Sequence, residues 1–249
     1  MDQPRTIVIT GASSGIGAAL ARAYAAPDVV LALTGRDAQR LEETAEACRR
    51  KNATVETATV DVTDAPAMER WLKDLDARQP VDLVIANAGV SEDRVTLDTL
   101  ADATARTFAI NVQGVFNTIL PLLPAMKQRG RGQVAINASL AGYRGLPTAV
   151  PYSASKAAVK SYGEALRGAV ARHGIAVTVV CPGFVASRIT DKNRFPMPFM
   201  MTADRATGII RQGLTKNRGI IAFPWPTFAA VRLMTLLPAP LVDRLLRRK

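Results

Sequence analysis

The chain has 249 residues and a mass of 26.6 kDa, with 48% hydrophobic and 21% charged residues and a net charge of +11. Those proportions exclude disordered, collagen-like and low-complexity classes, and the length suits one large α/β domain. Two cysteines, Cys48 and Cys181, rule out a disulfide scaffold and a thiolate zinc cluster; the single histidine, His173, argues against a histidine metal site or a Ser-His-Asp triad, and no metal is expected.

In chain order, Thr6–Thr10 is nearly all apolar and β-branched, as in a strand buried on both faces. A glycine-rich turn leads to a helix over about 15–26. Strands are expected at 29–34, 54–60, 83–86, 133–137 and 175–180, and a last one at 219–223. Helices are expected over 37–50, 64–78, 100–126 and 150–172; in the second of these Met68, Trp71, Leu72 and Leu75 share one face. Strand–helix alternation of this kind builds right-handed βαβ units, a doubly wound parallel sheet and an α/β class in one domain. The pattern loosens after Pro182: 183–218 reads as a lid over the substrate side and 224–249 as a C-terminal tail.

The turn Thr10-Gly11-Ala12-Ser13-Ser14-Gly15-Ile16-Gly17 has the chemistry of a pyrophosphate cradle. Gly11 permits a tight turn, Gly15 a close backbone approach, and Gly17 close helix–strand packing, while the helix N-terminus offers free N–H groups to phosphate. The second strand ends Thr34-Gly35-Arg36, where NAD-binding sites place a carboxylate on the ribose 2′-hydroxyl. Gly35 with Arg36 removes that carboxylate and adds a guanidinium for a 2′-phosphate, so NADP(H) is favoured over NAD(H); the other reading is a solvent-exposed turn arginine. Asp37 reads as a helix N-cap. Asp61 and Val62 suit an adenine contact, and Asn87, Ala88 and Gly89 end the fourth strand on the same side of the sheet.

Ser139 ends the fifth strand, and Tyr152 and Lys156 lie four apart on the next helix, so their side chains share a face. A free phenol, with a pKa near ~10, exchanges protons poorly at neutral pH, and an adjacent ammonium lowers that value. Ser139 can then hold a substrate oxygen, and Asn111 can join Lys156 through a water as a proton relay.

These segments, with Pro182-Gly183 and in this order, closely resemble the short-chain dehydrogenase/reductase family over about residues 5–223. The resemblance implies a Rossmann-type domain and hydride exchange between a nicotinamide cofactor and a small carbonyl/alcohol substrate. It assigns Tyr152 as acid/base, Lys156 as ribose binder and activator of Tyr152, Ser139 as substrate orienter and Asn111 as relay. Pro182, Gly183, Val185 and Ser187 join the cofactor contacts, with serine at the last of these where the family commonly has threonine. It also implies a homodimer or homotetramer through the two long helices, which carry Gly163, Ala165, Gly168 and Ala169. A cofactor-bound sensor or scaffold with little turnover is the competing class, and the intact four-residue set argues against it.

Met197, Phe199, Met200 and Met201, with Leu140 and Phe184, form either an apolar substrate wall or a packed cover. From Asp204 to the end there are nine Lys/Arg and two Asp/Glu, so most of the positive charge lies here. The aromatics do not interleave with basic residues, and no nucleic-acid partner is expected. Two readings of the tail stand open. It folds back on its own or a neighbouring subunit, or it lies on an anionic membrane with Trp225 at headgroup level and the terminal Arg244, Arg247, Arg248 and Lys249 attracted to lipid. No signal core lies behind Met1–Arg5, and no uninterrupted apolar run approaches the ~18 residues of a membrane span, so a reducing cytoplasmic location is expected, with membrane association the alternative.

Overall fold

Strands that are apolar on both sides need cover on both faces, and the architecture supplies it. The computed structural model describes residues 3–92, 95–187, 190 and 197–246. Seven strands, β1 (Thr6–Thr10), β2 (Val30–Thr34), β3 (Thr54–Ala58), β4 (Leu83–Ala86), β5 (Gly132–Asn137), β6 (Ile175–Pro182) and β7 (Ile220–Phe223), form one sheet in the order β3-β2-β1-β4-β5-β6-β7. Every pairing is parallel, with Ile9 between Leu33 and Ile85 at the centre. The order reverses between β1 and β4, so a crevice opens at their carboxyl ends.

Alternate strand residues feed two cores. Ile7, Ile9, Leu31, Leu33, Leu83 and Ile85 face α1 (Gly15–Tyr24) and α2 (Ala38–Arg49), with Leu20 and Leu41 fully buried. Val8, Val84, Val134 and Ile136 face α3 (Ala65–Arg78), whose Met68, Leu72 and Leu75 are buried while Trp71 sits half-buried beside them. Asp37 and Asp64 cap α2 and α3, each accepting from a backbone N–H three residues on.

The long helix expected from residue 100 is one continuous run to Gln128 with two irregularities. It comprises α4 (Leu100–Phe108), a π-turn (Ala109–Gln113), α5 (Gly114–Ile119), a 3₁₀ turn (Leu120–Leu122) and α6 (Leu123–Gln128). Pro121 and Pro124 account for the second irregularity. By length and composition this run would cross a membrane, yet Thr107, Asn111, Val115, Ile119, Leu122 and Met126 are spent on the protein's own core. α7 (Val150–Ala171) lies beside it. Gly163 of α7 faces inward, since a Cβ there would stand 2.6 Å from Val179, whereas Ala165, Gly168 and Ala169 are exposed.

After β6 come α8 (Ala203–Thr215), β7, and two tail helices, α9 (Trp225–Leu236) and α10 (Ala239–Leu246). Within the expected lid, Arg194, Phe195 and Pro196 lie outside the described residues, as do the terminal Arg247, Arg248 and Lys249.

Candidate active site

A cavity of about 780 Å³ occupies the crevice at the β1/β4 switch point. It is lined by Gly11, Ser13, Ser14, Gly15, Ile16, Arg36, Asp61, Val62, Asn87, Ala88, Gly89 and Ser187, twelve of the residues singled out in the sequence. The turn is shaped by backbone that glycine adopts without strain. Gly11 and Gly15 have φ of +68° and +55°. Gly17 lies beneath the cavity, where a Cβ would stand 2.3 Å from the Gly11 carbonyl oxygen. Ser14 precedes α1 without closing it by a side-chain cap, so the first-turn N–H groups stay available to an anion. Asn87 ties the floor together: its Nδ2 donates to Thr10 O at 3.0 Å, and its Oδ1 accepts from Asn137 Nδ2 at 2.8 Å.

At the far end, Arg36 is exposed and Asp61 is held by the Thr63 N–H and hydroxyl, both donating to Asp61 Oδ1 at 2.9 Å. Asn117 Nδ2 donates to Val62 O at 2.8 Å, which fixes the strand end that Asp61 leaves. Arg40 was not anticipated. It lines the same end of the cavity one turn into α2, and its Nη2 donates to the Asp37 carboxylate. Its Nε is buried without a protein partner, as is Asn137 Oδ1, and both residues line the cavity. An unmet donor at one end, an unmet acceptor at the other and a glycine cradle between them fit a dinucleotide.

The catalytic candidates adjoin this space rather than line it. Ser139 caps the short 3₁₀ turn Leu140–Gly142 and accepts from Ala141 N–H at 3.1 Å. Ser139 stands close enough to Tyr152 for its hydroxyl to act on the phenol. Lys156, only 4% exposed, donates to Asn137 O at 2.7 Å, and its Nζ lies 5.7 Å from the Tyr152 ring centre. A Cβ on Gly89 would stand 3.4 Å from Lys156 Nζ and 3.2 Å from Asn111 Oδ1, so both polar atoms border the cavity wall at one glycine. The π-turn places Asn111, fully buried, at that point. Its Nδ2 donates to Val90 O at 2.9 Å and Ser155 Oγ at 3.0 Å, while its Oδ1 accepts from Val90 N–H at 2.8 Å.

Burial governs the titration of this group. It lowers the Lys156 ammonium to about 8 and raises the Tyr152 phenol above its ordinary value, the Ser139 hydroxyl opposing the second shift. In the protein alone, the lowering of the phenol expected from Lys156 is not found: desolvation raises it, and the opposing influence comes from Ser139.

The other expected residues sit as supports. Gly183 N–H donates to Phe223 O at 2.7 Å, and a Cβ on Gly183 would stand 3.0 Å from Pro224. Pro182 ends β6, and its carbonyl accepts from Ser139 Oγ at 3.4 Å. The Val185 side chain is buried in the core, where residue 185 bridges to Met201. Met201 itself is buried, while Phe199 and Met200 are exposed. The inward side of α9 reaches the site's shoulder: the Phe228 ring meets Tyr143 edge-on at 5.6 Å, and Lys160 Nζ sits 4.6 Å from the Tyr143 ring centre. Cys181 is a buried free thiol pushed up to about 11 chiefly by burial, with the Tyr143 hydroxyl opposing the shift.

Comparison with known proteins agrees with this geometry. The family profile described as "short chain dehydrogenase" matches residues 5–196. An uncharacterized oxidoreductase of Myxococcus xanthus is 37% identical over 98% of this chain and 97% of its own. Dehydrogenase/reductase SDR family member 7B of Bos taurus is 32% identical over 93% of this chain and 77% of its own. A short-chain dehydrogenase from Sphingobium yanoikuyae, solved in complex with NADPH, superposes with a TM-score of 0.81 at 25% identity, covering 94% of this chain and 96% of that one. With that match spanning most of its length, the chain belongs to the short-chain dehydrogenase/reductase family and is a nicotinamide-dependent oxidoreductase.

Proposed function

We propose that the protein is an NADPH-dependent reductase of apolar carbonyl compounds, with Tyr152 as the proton donor. A bound nicotinamide supplies hydride to a carbonyl carbon, or accepts it in the reverse direction. What remains for this chain is to place the substrate oxygen and move one proton. Ser139 Oγ and Tyr152 Oη, on neighbouring elements, together receive that oxygen. A phenol held above its ordinary pKa is protonated at neutral pH, which is the form needed to donate to a carbonyl oxygen as negative charge develops there. Lys156 stands behind it, anchored on Asn137 O, and Asn111 shares its wall at Gly89, which suits proton resupply from the solvent side.

Cofactor preference rests on one observation. The adenosine end of the cavity carries Arg36 and Arg40, and its carboxylate, Asp37, is already engaged by Arg40 and by the start of α2. Two guanidinium groups favour the phosphate of NADPH over the bare ribose of NADH. The NADPH complex of the structural relative from Sphingobium yanoikuyae supports the same choice. Exposed Phe199 and Met200 in the proposed lid favour an apolar substrate. Exposed Ala165, Gly168 and Ala169 on α7 suit close helix packing in a homo-oligomer. The test is consumption of NADPH and NADH over aldehydes and ketones of graded chain length. Turnover with NADPH that improves with chain length supports the reading; turnover with NADH alone, or with polar carbonyls alone, overturns it.

A further inference from the structure

Tail helix α9 has an unusual surface. Thr227, Arg232 and Thr235 are the polar residues among its twelve; the others are apolar or proline and lie all round its circumference. A helix apolar on every side is expected to be enclosed, yet none of its residues is buried. One side rests on the protein through Phe228. The exposed stripe, Trp225, Leu233 and Leu236, follows i, i+8 and i+11 spacing and so shares one face, while Arg232, one turn after Phe228, keeps its guanidinium 5.9 Å from the Tyr143 ring centre on the inward flank. On it Trp225 is 74% and Leu236 78% exposed. After the break at Pro238, α10 repeats the division: Val242 is buried, while Leu241, Arg244 and Leu245 face out.

We propose that this outward face of α9 and α10 docks on the surface of an anionic phospholipid bilayer. The charge on the tail selects that occupant. From Trp225 onward the cations are Arg232, Arg244, Arg247, Arg248 and Lys249, the last three lying beyond the described residues, against one acid, Asp243. A second copy of the chain would bring an equally cationic tail against this one, and each copy carries +11 overall. An anionic lipid surface instead meets the cations with opposite charge and takes up the apolar stripe, with the exposed indole of Trp225 at headgroup depth. Helices of 12 and 8 residues are about 18 and 12 Å long, too short for a hydrocarbon core about 30 Å thick, so the pair lies in the interface and does not span it.

Co-sedimentation of the full-length protein with phosphatidylcholine vesicles, with and without phosphatidylglycerol, tests this. Binding to the anionic vesicles at least about tenfold above the neutral ones, falling as salt rises, is the expected result. Leu236→Glu with Leu241→Glu, both at exposed positions, should cut that binding about tenfold or more and leave the thermal midpoint and the oligomer size unchanged. Should that pair perturb folding, Arg244→Gln with Arg247→Gln and Arg248→Gln, which leaves every apolar side chain in place, must still reduce binding to anionic vesicles. Protein that stays in the supernatant with anionic vesicles overturns the proposal, and so does equal binding to neutral ones. A glutamate variant that elutes as a smaller oligomer also overturns it, because the face then belongs to a second copy.

Discussion

The two ends of the site are built on different terms. The cofactor side is fixed by backbone: glycines that cannot carry a Cβ, strand ends locked by Asn87 and Asn117, and a helix start left uncapped. The lid and tail proposed for the substrate side are made of side chains, with Phe199, Met200 and Trp225 all more than half exposed. Chemistry shared by a whole family demands the first kind of construction. Selection among substrates tolerates the second, since a wall of Met and Phe can change without moving Tyr152.

Substitutions at the rigid end should be the more damaging. Gly17→Ala puts a Cβ against the Gly11 carbonyl at 2.3 Å, where neither partner can yield without moving the turn. The expected cost is about 3 kcal/mol of stability together with loss of cofactor binding, read by denaturant unfolding and fluorescence titration. Arg36→Ala leaves the cradle intact and removes one guanidinium, so NADPH affinity should fall by roughly 1.5–3 kcal/mol while NADH affinity is nearly unchanged. Equal losses for both cofactors would place Arg36 on an ordinary surface turn.

On the softer side, Phe228→Ala removes the edge-on contact with Tyr143 and should cost about 0.5–1.5 kcal/mol for the aromatic pair beyond the area it uncovers. The accompanying change should appear in KM more than in kcat if α9 only shapes the substrate side.

Lys156 gives a pH signature between the two regions. Burial holds its folded pKa at about 8 against an ordinary 10.5, so between those values the unfolded chain keeps a proton that the folded chain has released. Its contribution to stability must therefore rise with pH across that window. Lys156→Met should flatten this part of the stability profile, as followed by urea unfolding at a series of pH values.

Much of this was legible in the sequence because it is local. The glycine spacing, the strand ends and the four-residue interval from Tyr152 to Lys156 are short-range patterns tied to backbone geometry. Asp37 was correctly legible as a cap, yet its second role, engaging the Arg40 side chain at the cavity, was not. Arg40 lies one helical turn past the strand end, where an arginine on a charged helix looks like any solvated residue; only the tertiary fold turns it into the cavity. Asn137 was missed because a polar strand end carries no signal until Asn87 and Lys156 are brought to it from elsewhere in the chain. The π-turn at Asn111 has no composition of its own, and the balance of charges on Tyr152 depends on burial that spacing does not report. The tail was ambiguous because apolar residues on both sides of a helix do not say which side meets the protein.

The central claim is that Tyr152 carries the proton in a reductase built around NADPH. Its most direct test is a side-by-side measurement of NADPH dissociation constant and kcat for the wild-type protein and Tyr152→Phe, using the best substrate of the chain-length series. The phenylalanine ring keeps the packing and loses only the hydroxyl, so kcat should fall by about 10²–10⁴ while the NADPH dissociation constant stays within about twofold. A variant that turns over at close to the wild-type rate would contradict the account.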